Sequence, residues 1–398
     1  MKTLEDWKIK EKVHGLVFDT TSSNTEIHKG ASTLIEVGIG HELVRIGCRH
    51  HIMEVVLGHV FTSLSGATSG PNVGIFKRFQ KHWSLIEQVN HSLAEDGLFA
   101  PFTGETQTLR QEMIAFYSSA ASHQQPREDY LELLRLCLVF LSGESETVIR
   151  FRAPGAIHHA RWMAKAIYTL KIVLFKDQFR LTPREKDKLT DFALFISLVY
   201  GRFWHEAPLA ANAPLNDARI IELLRQYPNR TVADAALTAF SRHLWYFSEH
   251  LIGLSFFDDR VSADAKRAMA VNLRRPQTSA ALKRLNKEEV YTDFTKLEKF
   301  VTERTKRLFT LLSNTGEEDA AIFLSKDPEI SHEDESYQKL KENVTLMKVV
   351  NDSAERGIAL IIIYNECLTK DEDHKQFLLR FIERHRRMYP ISSKEMLT

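Results

Sequence analysis

The sequence is poor in cysteine: Cys48, Cys137 and Cys367 are its only three. They lie far apart with no C-x-x-C pair, which excludes a disulfide framework and points to a reducing compartment. Long apolar runs are absent too. The longest, "IALIII" at 358–363, falls far short of the ~20 residues that span a bilayer. The first ten residues, "MKTLEDWKIK", are too charged for a secretory signal. These absences leave a nuclear or cytoplasmic protein with no membrane segment. An excess of one charge is also missing, since 53 Lys and Arg meet 52 Asp and Glu for a net +1. The overall balance therefore does not announce nucleic acid, although local basic clusters can still bind it. No internal repeat or low-complexity tract appears. What is present is ordinary for a soluble globular chain, 43% hydrophobic and 26% charged over 398 residues. That length suits two or three domains, or one domain with a large insertion.

The first 62 residues read as strand, helix, strand, helix. "VHGLVF" (13–18) is a short apolar strand of the kind buried in a parallel sheet. "SSNTEIHKGASTLIEVG" follows, with Ile27, Ala31, Leu34 and Ile35 at helical spacing and Ser23 or Asn24 available as N-cap. "ELVRIGC" (42–48) is a second strand. "RHHIMEVVLGHVF" is then a helix with Ile52, Val55, Val56 and Val60 on one stripe. That order predicts an α/β unit with a parallel pair. "TSLSGATSGPNVG" (62–74) reads as loop. From there to about 335 the patterns are helical, including "TAFSRHLWYFSEHLIGLSFF", and no β-alternation of useful length occurs. "LSKDPEISHEDESYQKLKEN" is polar and acidic and reads as a linker, after which the chain returns to helix. Two strands alone do not make a viable sheet, so the layout asks for more.

Four constellations carry chemistry. Asp19, in "LVFDTTSSN", leaves a buried strand at the end where α/β proteins bind ligands; taken alone, a turn residue or helix cap is the commoner reading. The hydroxyl-rich turn lacks the glycines and lysine of a phosphate-binding P-loop. Glu355, in "NDSAERGIALIII", reads as the third helical residue of a capping box begun by Asp352, or as a carboxylate at the mouth of a buried helix, available to a metal. "CRHHIME" sets Cys48 and His51 three apart, and His50 and Glu54 four apart, each pair on one helix face. That suits zinc only if two further ligands come from elsewhere, and no second Cys/His pair has metal spacing. "RFRAPGAIHHARWMAKAIY" gathers Arg150, Arg152, Arg161 and Lys165 around His158, His159 and Trp162. Such a group can hold a nucleic-acid backbone and stack a base, or it can be an amphipathic helix with Trp162 in its core.

The order of these motifs resembles the hAT superfamily of DNA transposases and their domesticated descendants, over about residues 13–367. In that family an RNase H-like core is split by a large helical insertion. The resemblance implies that Asp19 in "FDTTSSN" is the second catalytic acid and Glu355 in "SAER" the third. It makes Cys48 and His51 of "CRHH" the C-x-x-H motif that orders the core near the site. Arg161 and Trp162 match the arginine–tryptophan pair implicated in handling DNA; Arg152 and Lys165 join them as nucleic-acid contacts from the basic cluster itself. The implied reaction is DNA cleavage and strand transfer by two Mg²⁺ or Mn²⁺ ions held between carboxylates.

The departure from the family is equally definite. Its first acid lies three strands and a helix upstream of the second, and only 18 residues precede Asp19. The expectation is therefore an α/β protein, mostly helical, with a partial RNase H-like core of parallel strands lacking its first strands. Residues 1–62 would begin that core, 63–335 form the helical insertion, and 336–398 complete it. Activity is expected to be impaired, ion binding weak or absent, DNA the partner, with homo-oligomerisation open. The alternative is a non-enzymatic nucleic-acid or protein-interaction module built on the insertion.

Overall fold

The computed structural model describes residues 2–350, apart from 67–72, 143–150, 155–162, 276–282, 292–295, 314–333 and the shorter gaps 7, 26–28, 42, 127, 284 and 286–287; beyond 350 it describes Thr369, Asp371, His374 and Phe377. The chain is mostly helical with one small sheet. Strands β1 (Gly15–Phe18) and β2 (Val44–Gly47) are joined through α2 (Ser22–Thr25) and α3 (Ala31–Ile39), after a short α1 (Lys2–Asp6). The helices that follow are α4 (Arg49–Ser65), α5 (Gly74–His82), α6 (Leu109–Ser122), α7 (Glu128–Ser142) and α8 (Met163–Leu174). Next come α9 (Pro183–Phe195), α10 (Gly201–His205), α11 (Ala213–Gln226), α12 (Arg230–Phe240), α13 (Ala263–Leu273), α14 (Lys306–Leu312) and α15 (Glu335–Leu346). No described helix is long and apolar enough to cross a membrane.

The two strands pair in parallel, Gly15 opposite Val44 through Phe18 opposite Gly47, as the apolar runs in the sequence predict. Their crossover is locked at its far end. α3 stops at Gly40, whose φ of 92° suits a residue without a Cβ. Glu36 then accepts from the Leu43 amide at 2.9 Å and pairs with Arg45 at 3.1 Å, tying the helix to the start of β2. The predicted apolar stripe of this helix is only partly buried: Leu34 faces solvent, as does Val37.

α4 follows β2 directly and is buried on most sides, with Ile52, Val56 and Val60 of the predicted stripe fully inside. Its closest companion is α12, which buries Ala233, Ala236 and Leu237; small side chains let two helices approach closely. α12 lies far along the helical segment, yet it covers the N-terminal helix. Among the described residues, one hydrophobic core joins side chains from Val44 to Val349.

α9 and α10 form one long rod with a π-helical turn at Ile196–Tyr200 between them. The Tyr117 hydroxyl reaches into that turn and donates to the Ser197 carbonyl at 2.9 Å. A Cβ on Gly201 would collide with the same hydroxyl, so the glycine is required by the inserted tyrosine. Two expectations fail here. The polar stretch read as a linker runs into α15, which is capped by Asp334 and buries Tyr337, Leu340 and Val344. The run read as continuous helix, "TAFSRHLWYFSEHLIGLSFF", breaks after Phe240 into two 3₁₀ turns, Trp245–Phe247 and Ile252–Phe257.

Candidate functional site at the strand ends

The carboxyl ends of β1 and β2 meet the N-terminus of α4. β1 delivers Asp19 into a turn rich in hydroxyls. Asp19 Oδ1 accepts three hydrogen bonds, from the Thr21 amide at 3.1 Å, the Thr21 hydroxyl at 2.5 Å and Asn24 Nδ2 at 2.7 Å. Asn24, one of the two candidate helix caps with Ser23, is thus committed to Asp19. Partial burial pushes the Asp19 carboxyl up, but the bonds from Thr21 and Asn24 and the charge of His51 outweigh it, leaving it below its ordinary range.

"CRHH" divides into three anchors and one outward residue. Cys48 is buried as the N-cap of α4, and its amide continues the ladder to the Phe18 carbonyl at 2.8 Å. Arg49 is buried against an equally buried Asp217 of α11, at 2.7 Å. Its guanidinium also donates to the Ala213 carbonyl at 3.3 Å and lies 4.8 Å from the Tyr246 ring centroid. Tyr246 in turn donates to the Gly47 carbonyl at 2.8 Å. His50 is buried and stacks on Trp204 with centroids 4.7 Å apart. Only His51 turns toward Asp19, with its Nδ1 3.7 Å from Glu54 Oε2. Glu54 also faces Lys165 of α8, whose ammonium lies 5.2 Å from the Phe61 ring centroid. Burial pulls Lys165 below its ordinary range, with Glu54 opposing.

The structure therefore gathers Asp19, His51 and, through Glu54, Lys165 around the start of α4. It brings one more segment there: the Arg49 amide donates to the Val349 carbonyl at 3.0 Å. Val349 is fully buried and lies six positions before Glu355. Arg161, Trp162 and Glu355 lie outside the described residues. Arg152 is described but engaged, pairing with Glu128 at 2.8 Å while its carbonyl accepts from Lys171 at 2.6 Å.

The sequence reading missed three contributors, His243, Trp245 and Tyr246. They come from the break after α12, where the pattern of "SRHLWYF" predicts plain helix. Trp245 stands edge-on to Phe18 with centroids 5.7 Å apart. It lies so close over Gly47 that a Cβ there would sit 2.7 Å from the indole. Among the described residues, its Nε1 and the Thr20 hydroxyl are buried with no hydrogen-bond partner. The available signal was a basic and aromatic cluster straight after an alanine-rich helix.

No protein-family model, curated protein or solved structure matches the chain.

Whether these residues suit a divalent ion can be judged from the donors. Among the described residues, no group of three His, Cys, Asp or Glu side chains converges as metal ligands. Asp19 has one carboxylate oxygen committed to its own turn, leaving Oδ2 alone. This described donor set does not by itself hold an ion that needs six or so oxygens.

His243 gives the site a pH signature. Burial, then the positive charges of His51, Arg242 and His59, push its pKa from 6.5 down to about 4. A histidine kept neutral in the fold, but free to protonate when unfolded, leaves stability intact above pH 6.5 and erodes it as pH falls toward 4. The expected loss is of order 2–3 kcal/mol. Urea unfolding at several pH values checks this: His243→Gln should flatten the slope across that window, and an unchanged slope would contradict it.

Proposed function

We propose that this chain is a transposase-derived DNA-binding protein of RNase H-like ancestry that, taken alone, binds DNA without cutting it. One observation carries the reading: the Arg49 amide bonds the Val349 carbonyl at the same strand ends from which Asp19 emerges. Strand end with acid, "CRHH" helix and the approach to "SAER" are widely separated in sequence, and a shared site is what the resemblance requires of them. α8, which starts directly after the Arg161–Trp162 pair, contributes Lys165 beside Glu54 on the same helix as His51, in keeping with a DNA-handling role for that pair. The cleavage chemistry finds less support. Asp19 is held mainly as the acceptor of its own turn, and the described residues add no second carboxylate to it. Weak Mg²⁺ or Mn²⁺ binding then depends on Glu355 joining Asp19.

The test is incubation of the full chain with supercoiled plasmid in Mg²⁺ or Mn²⁺, across a salt series. The expected result is a mobility shift that fades as salt rises, because phosphate neutralisation releases counterions, with the plasmid left unnicked. Nicking that disappears in Asp19→Asn would mean the centre is complete. Absence of any shift at low salt would remove DNA from the account.

A further inference from the structure

A second surface, away from the residues above, has its own chemistry. α5 carries Lys77, Arg78, Lys81 and His82 and no acidic residue. The turn into α9 lies against it, and together they line an open groove of about 410 Å³. Phe179, buried beneath, forms the floor, with the Arg78 guanidinium 5.1 Å from its ring centroid. Among the described residues, the only acid lining the groove is Glu185, and it is consumed locally. Its carboxylate takes both Arg78, at 3.1 Å, and the Thr182 amide, at 2.9 Å, where it closes the capping box of α9. Asp187, two residues on, faces Asp191 along the helix. Lys81 and Arg180 are thus left as exposed cations on the two rims, with Arg184 exposed beside them on the first turn of α9. Two exposed carboxylates lie next along the same turn, Asp177, which accepts from the Ser92 hydroxyl at 2.5 Å, and Glu87, which accepts from Asn90 Nδ2 at 2.7 Å; the groove's own rims carry the positive charge.

From this arrangement we infer that the α5–α9 groove docks the phosphate backbone of duplex DNA, without reading its sequence. The inference rests on the proposed DNA-binding function and adds the surface that supplies it. Charge complementarity selects the occupant. Each DNA strand presents one negative charge about every 3.4 Å; Lys81 and Arg180 line the groove, and the exposed Lys77 lies one turn, roughly 6 Å, before Lys81 on α5. Phe179 is buried and covered by Arg78, so the floor offers no face for stacking a base, and the half-buried His82 is tied to the Gln178 carbonyl at 2.9 Å. Phosphate contacts without base contacts position a duplex and leave its sequence unread.

The experiment is a salt titration of binding to a 30-bp duplex, with about 30 bp chosen to exceed a single footprint, using the full chain, Lys81→Glu/Arg180→Glu, and a control, Lys296→Glu/Lys339→Glu. The control changes net charge equally at exposed lysines elsewhere. The groove variant should lose about tenfold or more in affinity at moderate salt, and its log–log salt slope should shrink by about two. The control should change neither by more than about twofold, and two duplexes of unrelated sequence should behave alike. If the wild-type chain binds DNA and the groove variant binds as the control does, the groove assignment is wrong while DNA binding stands. If the wild-type chain ignores DNA but is retained by phosphatidylserine vesicles through the same two residues, the occupant is a membrane surface and the inference falls. Whenever the wild-type chain ignores DNA, with or without vesicle binding, the DNA-binding function fails as well. All four side chains are exposed, so thermal melts should coincide, and a groove variant that melted early would be replaced by Lys81→Gln/Arg180→Gln.

Discussion

Replacing Asp217 with Ala is expected to cost about 3–5 kcal/mol, because it strands a buried arginine without its counter-charge. Arg49 and Asp217 are each 2% exposed or less, so water cannot take over the lost role. The damage should extend beyond the pair. Arg49 sits where β2 becomes α4, and its guanidinium holds α11 through Asp217 and the Ala213 carbonyl. Its backbone amide holds Val349. A joint of that kind links the strand ends to the helical segment and to the approach to Glu355. The companion prediction separates charge from shape. Arg49→Met with Asp217→Leu removes both ions and keeps apolar volume, and such swaps are often neutral or better. The double variant should recover most of the stability lost by Asp217→Ala in urea unfolding. Equal losses in the single and double variants would show that the site needs the ions themselves.

This joint changes the meaning of "CRHH". Its spacing is compatible with zinc or with a family motif, and the sequence alone leaves both open. In the fold Cys48, Arg49 and His50 are buried against the ladder, Asp217 and Trp204 respectively, and His51 alone faces the acid. Such a division follows from where a strand runs into a helix with no intervening loop: successive side chains then fan out in different directions. Only the partners, some 160 positions away, decide which of them is inside.

The same distinction explains what was legible and what was not. β1, β2 and α4 were readable because each is a local apolar pattern of one period. α15 was hidden because Tyr337, Leu340 and Val344 are three apolar residues in a polar stretch, enough for one buried stripe but not for a run. The segment after α12 was misread for a non-local reason. Its Glu249 is fully buried and accepts from Thr302 at 2.6 Å and Arg304 at 2.9 Å, while its carbonyl accepts from Thr305 at 2.6 Å. Residues more than fifty positions away therefore set its path, and helical periodicity cannot register them. The position of Asp19 was legible because it ends an apolar strand. His243 and Trp245 were missed because nothing in "SRHLWYF" signals that its aromatics close over Gly47 from a different part of the chain.

The central claim is that Asp19 and Glu355, 336 positions apart in sequence, belong to one site. Two ions roughly 4 Å apart, each about 2 Å from its ligands, cannot be shared by carboxylates separated by more than about 8 Å. A cysteine pair measures this directly. Asp19→Cys and Glu355→Cys would be introduced together in a Cys367→Ser background; Cys48 and Cys137 are buried and remain in place. The chain would then be treated with a bis-maleimide whose span is about 8 Å, matched to that ligand separation. The account predicts an internal cross-link in nearly every molecule, formed at dilutions where separate chains do not react. Full labelling of each single-cysteine variant, with no cross-link in the pair, would contradict it and return Glu355 to the role of a helix-capping residue.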